Sequence, residues 1–243
     1  MKPEEYRKMA AVEDTMWYYR ALHRHVATAL DGLPEEAAVL DAGCGTGGLL
    51  KALRRAGPRW QLTGLDLSPL ACELALARTG VPVAEGSVSQ LPFGSGCFDA
   101  ITSCDVLCQV EQPEEALREF HRCLRPGGRL VLTLPAYAWM YSYHDRQVGN
   151  LRRYRRDEVL AWLRVAGFLP DTVTYWNMLP FPLAVLRRKL LPPAGPAGDV
   201  RLYPPPLEAI FNAMMDLEYR CLRRGGRLPF GSSVLATARL PTA

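Results

Sequence analysis

Residues 39–50 read VLDAGCGTGGLL, with four glycines in the six positions 43–48. An apolar run ends just before them and another begins at Leu49. The first, within AAVLDAG (37–43), reads as a short buried strand. The second places Leu49, Leu50 and Leu53 on the inner face of a helix. A strand that turns into a helix presents unpaired backbone N–H groups at the first helical turn. Glycine makes such a turn tight and lets a ligand approach without a Cβ in the way. Gly43, Gly45 and Gly47 are therefore expected to floor a binding loop, with Gly48 letting the helix start pack closely.

The next predicted strand, WQLTGLD (60–66), ends in Asp66, 23 residues after Gly43. A carboxylate at that tip can accept hydrogen bonds from the two vicinal hydroxyls of a ribose. Gly43, Gly45 and Gly48 also satisfy GxGxxG, so a nicotinamide dinucleotide is an alternative ligand. Asp41 favours a different one. A pyrophosphate in the loop would be repelled by so near a carboxylate, whereas a nucleoside carrying an amino group and a sulfonium would tolerate it. Asp41 can equally cap N–H groups of its own loop.

Working outward, strand and helix patterns alternate. Met16, Tyr19, Leu22, Val26 and Leu30 form one face of an N-terminal helix. CFDAITS (97–103) and GRLVLTLP (128–135) read as strands joined by a helix carrying Leu117, Phe120 and Leu124. A helix after Arg156 ends at Gly167, DTVTYW (171–176) follows as a strand, and a long helix is expected from about Pro206 to Arg224. SSVLATARL (232–240) alternates like a final strand. Such alternation implies an α/β fold, doubly wound, with a mostly parallel sheet covered by helices on both faces and ligands at the strands' carboxyl ends.

Four stretches, in order, resemble the motifs of class I S-adenosylmethionine-dependent methyltransferases. They are VLDAGCGTG (39–47), LTGLDLSPLACELA (62–75), EGSVSQLPFGSGCFDAITSCDVLCQV (85–110) and LRPGGRLVLTLP (124–135). MWYYRALHRHV (16–26) and HDRQVGNLRRYRRDEV (144–159) resemble segments flanking the core in one small-molecule subgroup. The resemblance implies a seven-stranded sheet with the last strand antiparallel, plus a helical cap, in one domain over 1–243. The N-terminal helical segment covers about 1–34, and acceptor-side insertions cover about 137–156 and 177–224. It also implies the cofactor S-adenosylmethionine, with S-adenosylhomocysteine as product. Gly43, Gly45 and Gly47 would line its methionine part, Asp66 would hold the ribose, and Leu67, Gly86, Ser87 and Val88 would surround the adenine. Cys104 would sit beside the cofactor at the end of the fourth strand. Tyr19 would close over the cofactor and Arg20 would pair with its carboxylate. The chain departs from the pattern at Ser87, where an acid is frequent, and at Cys108 and Gln109, where a Glu-His pair is usual.

His144 and Asp145 are the only adjacent imidazole–carboxylate pair, and His144 is the candidate general base for an acceptor hydroxyl. The alternative for His144 is a structural histidine. Arg146, Arg152, Arg153, Arg155 and Arg156 form either a solvated face or a clamp for an anionic acceptor. YWNMLPFPLAVLRRKLL (175–191), apolar then basic, suits a greasy acceptor, contact with a membrane surface, or simple burial in the protein's own core, with burial favoured.

Composition sets the outer bounds. Of 243 residues, 49% are hydrophobic and 22% charged, ordinary for a soluble globular protein. A net charge of +4 is too small to imply a nucleic-acid partner. The first sixteen residues lack the apolar stretch of a signal peptide, and the longest apolar run is about half a membrane span. Seven scattered cysteines without a CxxC pair point to free thiols in a reducing, cytoplasmic setting and to no metal site. The expected activity is methyl transfer to a small or lipid-like acceptor, at oxygen. A nicotinamide-dependent oxidoreductase and a non-catalytic cofactor-binding scaffold are the alternatives.

Overall fold

The computed structural model describes residues 2–191 and 199–242. Seven strands form one sheet in the order β3-β2-β1-β4-β5-β7-β6. They are β1 (Ala38–Ala42), β2 (Gln61–Asp66), β3 (Val83–Glu85), β4 (Phe98–Cys104), β5 (Leu124–Pro135), β6 (Leu169–Trp176) and β7 (Ser233–Arg239). β7 runs antiparallel between β5 and β6, while the β1, β2, β3, β4 and β5 pairings are parallel. β3 has only three residues, too few to show a period, and sequence patterning did not reveal it. Leu124 opens β5 instead of closing the preceding helix.

Burial on both faces follows from the two-residue period of the strands. Leu40, Ile101 and Leu130 face one layer, against Leu117 and Phe120 of α5 (Pro113–Cys123) and Val159 and Leu163 of α7 (Arg156–Val165). Their neighbours Val39, Ala100 and Val131 face the other. There they meet Val26 and Leu30 at the end of α2 (Trp17–Ala29), Leu50 and Leu53 of α3 (Gly48–Ala56), and Phe211 and Met215 of α9 (Pro205–Arg223).

Two further helices position the site. α1 (Pro3–Val12) lies against α4 (Pro69–Thr79), which packs beside α3. After β5 the chain forms a tight turn at Ala138–Met140 and the short α6 (Tyr143–Val148). After β6 come α8 (Phe181–Val185) and a wide π-type turn, Leu186–Leu190. The proline-rich tract LPPAGPAG (191–198) lies, beyond Leu191, outside the described residues. Strand order reverses between β1 and β4, and there the connecting segments splay apart at the carboxyl edge, leaving room for a ligand. No described helix is long and apolar enough to cross a membrane.

Candidate functional site

At that edge lies a cavity of about 710 Å³. Its floor is the corner from β1 into α3. Gly43, Gly45 and Gly47 all adopt positive φ, at 88°, 53° and 87°. The Gly43 and Cys44 N–H groups both donate to Leu65 O, at 2.7 and 2.9 Å, which fastens the corner to β2. A Cβ on Gly43 would meet Val106 Cγ2 at 2.2 Å, so only glycine fits beneath that side chain. Gly47 does other work. It caps the start of α3, and a Cβ there would meet the backbone of Ala75 on α4 at 3.1 Å. Gly43 and Gly45 line the cavity; Gly47 does not, because its bare face is spent on helix packing.

Asp66 stands at the tip of β2. Its Oδ2 accepts from Gly45 N at 2.9 Å, and its Oδ1 from Ser68 N at 2.9 Å and Tyr6 Oη at 3.2 Å. A carboxylate offers about four lone-pair sites, and three are in use. Leu67, Gly86, Ser87 and Val88 line the same end of the cavity, and Cys104 lines it from β4. Tyr19 lines it from α2. Arg20, the next residue, is exposed and is not part of the lining. Successive helical residues diverge by about 100°, so a helix that turns Tyr19 inward turns Arg20 outward. Arg20 therefore points away from the cavity in which its pairing with a cofactor carboxylate was expected.

The strongest electrostatic feature is Asp41, 1% exposed at the end of β1. Thr102 Oγ1 donates to its Oδ1 at 2.8 Å, while its Oδ2 is buried without a partner. Burial pushes its pKa up to about 7, with the charges of Asp66 and Glu13 adding to the effect. Asp105, just past β4, repeats the pattern. Its Oδ2 accepts from Tyr18 Oη at 2.9 Å, its Oδ1 is buried without a partner, and burial raises its pKa. It also holds a left-handed φ of 56°, a cost of about 1–3 kcal/mol that ordinary packing does not require. Buried polar atoms without partners call for an explanation, a bound water, ion or ligand among them. Trp17 Nε1, Asp41 Oδ2, Asp105 Oδ1, His144 Nδ1 and Asn177 Oδ1 are all such atoms on residues of this one cavity. Two half-satisfied carboxylates suit a cation.

Sequence reading missed part of this wall. Tyr6, Met9 and Glu13, at i, i+3 and i+7, bring one edge of α1 and the residue following it over the corner, and all three line the cavity. Glu13 is buried and accepts from Thr46 Oγ1 and Arg78 Nη1. That spacing was the available signal, although it names no ligand. Asp105 carried no signal, because its strain is visible only in three dimensions.

His144 lines the cap side. Its Nδ1 lies 4.0 Å from Asp199 Oδ2. Burial and the nearby Arg188 cation hold its pKa down to about 4, so it is neutral at physiological pH. Asp145 does not orient it. That carboxylate is fully buried and accepts from Arg153 Nε at 2.8 Å, Asn150 Nδ2 at 3.1 Å and Ser142 N at 2.9 Å. Of the five clustered arginines only Arg153 lines the cavity, and it is neutralised by Asp145. Arg146, Arg155 and Arg156 are exposed, and Arg152 Nη2 donates to Glu111 O at 2.8 Å. Among the described residues no group of three or more metal-binding side chains converges. The seven cysteines are free thiols.

A family model described as a methyltransferase domain matches residues 40–132. The malonyl-[acyl-carrier protein] O-methyltransferase of Herminiimonas arsenicoxydans is 33% identical over 169 residues, which are 67% of this chain and 64% of that protein. The demethylmenaquinone methyltransferase of Staphylococcus epidermidis is 30% identical over 172 residues, 64% of this chain and 70% of that protein. The chain spans less than two thirds of some curated relatives it matches, down to 45% in one case. In three dimensions it resembles the Haloferax volcanii protein solved in complex with the Trm112 methyltransferase activator, with a TM-score of 0.64, 22% identity and 98% of both chains covered. At that identity the likeness is one of fold. The two enzymes named from sequence are methyltransferases, which overturns the oxidoreductase alternative.

Proposed function

Because this chain belongs to the class I S-adenosylmethionine-dependent methyltransferases, we propose that it transfers a methyl group from that cofactor to a small or lipid-like acceptor, at oxygen. The observation that carries the reading is the unpartnered Oδ2 of Asp41, buried at the rim of the sheet beside Asp66. An ammonium group is the natural partner for such an oxygen, and a pyrophosphate would be repelled there. In this reading Asp66 accepts from the ribose, and Gly43 and Gly45 leave the floor open. Leu67, Gly86, Ser87 and Val88 take the adenine, while Tyr19 and Cys104 close the sides.

When bound, S-adenosylmethionine supplies an electrophilic methyl group on a sulfonium. What the chain's own residues do is hold the acceptor oxygen in line and keep water out. Well-oriented partners gain roughly 7–11 kcal/mol from positioning, so no nucleophile–base triad is required. In this reading His144 accepts the acceptor's proton at Nδ1, which is buried without a hydrogen-bond partner. With a pKa near 4 it is a weaker base than a histidine poised near neutrality. Positioning therefore carries most of the acceleration.

Malonyl-[acyl-carrier protein] and demethylmenaquinone, named for two relatives, are a thioester and a prenylated quinone. They motivate the acceptor classes to try first: acyl thioesters and quinols. Incubating the protein with methyl-labelled donor and each class should give an organic-soluble labelled ether or ester in at least one. Donor binding without labelled product from any acceptor, cell extract included, would instead favour the scaffold reading.

A further inference from the structure

The cofactor end of the cavity is acidic, with Asp41, Asp66, Asp105 and Glu13 in its wall, whereas the cap end is basic. Arg187 and Arg188, on the wide turn after α8, donate from Nε to Asp199 Oδ1 at 3.0 Å and Oδ2 at 2.8 Å. Tyr143 Oη donates to Asp199 Oδ1 at 2.9 Å. Arg187, Arg188, Asp199 and His144 all line the cavity. The charges do not cancel. Arg153 is paired with Asp145 and His144 is neutral, so two guanidiniums face the single carboxylate of Asp199. These two side chains are only 28% and 14% exposed, so water solvates the surplus charge poorly. Among the described residues each guanidinium bonds Asp199 through Nε, which leaves its terminal nitrogens free to fork onto a second anion. Leu183 and Ala184, one turn earlier, line the same wall, and Trp17, Leu207 and Phe211 continue it as an apolar surface.

We propose that the acceptor is an anionic amphiphile, with a carboxylate or phosphate held by the terminal nitrogens of Arg187 and Arg188 and an apolar body against Leu183, Trp17 and Phe211. Asp199 sets the two guanidiniums in place. Opposite poles then orient both ligands, the cationic donor toward the aspartates and the anionic acceptor toward the arginines. The inference rests on the methyltransferase reading only in calling this ligand the acceptor.

The test uses the whole protein saturated with S-adenosylhomocysteine and titrated calorimetrically with octyl phosphate and octanoate, each below its aggregation concentration. Octanol and octyltrimethylammonium serve as neutral and cationic controls. Octyl phosphate or octanoate should bind at least tenfold more tightly than octanol. Arg187→Gln/Arg188→Gln should lose about tenfold or more of that affinity, the worth of a charge-assisted hydrogen bond. Arg187→Lys/Arg188→Lys, which keeps the charge but loses the fork and the Nε contacts to Asp199, should recover only part of the affinity lost in the glutamine pair. Octanol binding as tightly as octyl phosphate, or anion affinity unchanged in the glutamine pair, overturns the proposal. So does binding to phosphatidylglycerol vesicles, and not to phosphatidylcholine ones, when neither monomeric anion binds. S-adenosylhomocysteine affinity is read separately. Its absence in the unaltered protein would remove the methyltransferase reading, whereas its persistence with no anion preference would remove the acceptor inference alone.

Discussion

Tyr6 Oη, on α1, donates to Asp66 Oδ1 at the tip of β2 across 3.2 Å, joining residues sixty positions apart. If Asp66 holds the ribose as proposed, the hydroxyl occupies a lone pair that the diol would use, and helix and nucleoside compete for one carboxylate. Tyr6→Phe removes the competitor and keeps the ring. Calorimetric titration should show S-adenosylhomocysteine binding about two- to tenfold more tightly, the net worth of one hydrogen bond. Weaker binding would make Tyr6 a cofactor contact instead.

Asp41 should make cofactor binding depend on pH. Its folded pKa, about 7, stands above the value of about 4 for an unfolded chain. The folded protein therefore holds a proton there that the unfolded chain releases, and this contribution to stability fades as pH rises from about 4 to 7. Binding has the opposite sign. The cationic ligand prefers the carboxylate, so affinity should rise through pH 7 and fall by up to about tenfold per unit below it. Asp41→Asn should flatten the curve between pH 5.5 and 8 and bind more weakly at pH 8. An unchanged slope in the variant would assign the dependence elsewhere.

His144→Ala should lower kcat by about ten- to a hundredfold and leave S-adenosylhomocysteine affinity intact. The range sits at the low end for general bases because the imidazole is weakly basic. For the same reason the acid limb of kcat/KM due to this group belongs below the usual histidine range. Full activity in the alanine variant would leave positioning as the whole of catalysis.

The buried Asp145–Arg153 pair holds α6 to the segment after it, and Arg153 Nη1 also donates to Ala136 O at 3.1 Å. Removing one partner strands a charge in the interior, at a cost of about 3–5 kcal/mol. Asp145→Ala should lower stability in urea by that order. Asp145→Ala/Arg153→Met should recover much of the loss, because no charge is left alone. Equal loss in the single and double variants would show that packing, not charge, matters there.

The corner and Asp66 were legible in the sequence because their geometry is local. A tight strand-to-helix turn leaves glycines as its trace, and a right-handed crossover returns the next parallel strand alongside the first. The departures share a cause. Neighbours on a helix face different ways, so Arg20 could not join Tyr19 at the cavity, and Asp145 turned from His144 toward Arg153. Gly47 serves α4, which no local pattern announces. The basic pole was not legible for a similar reason. A dense run of arginines at 146–156 is conspicuous in a string of letters, yet the docking of the cap brings Arg187 and Arg188 to the cavity and leaves most of that run in solvent.

The most direct test is isothermal titration of the whole protein at pH 8 with S-adenosylhomocysteine, and with NADH in parallel, for the unaltered chain and for Asp66→Ala. One-to-one binding of the sulfur nucleoside, at least about tenfold weaker in the variant, with no heat from NADH, is the expected result. Heat from NADH and none from S-adenosylhomocysteine would contradict it.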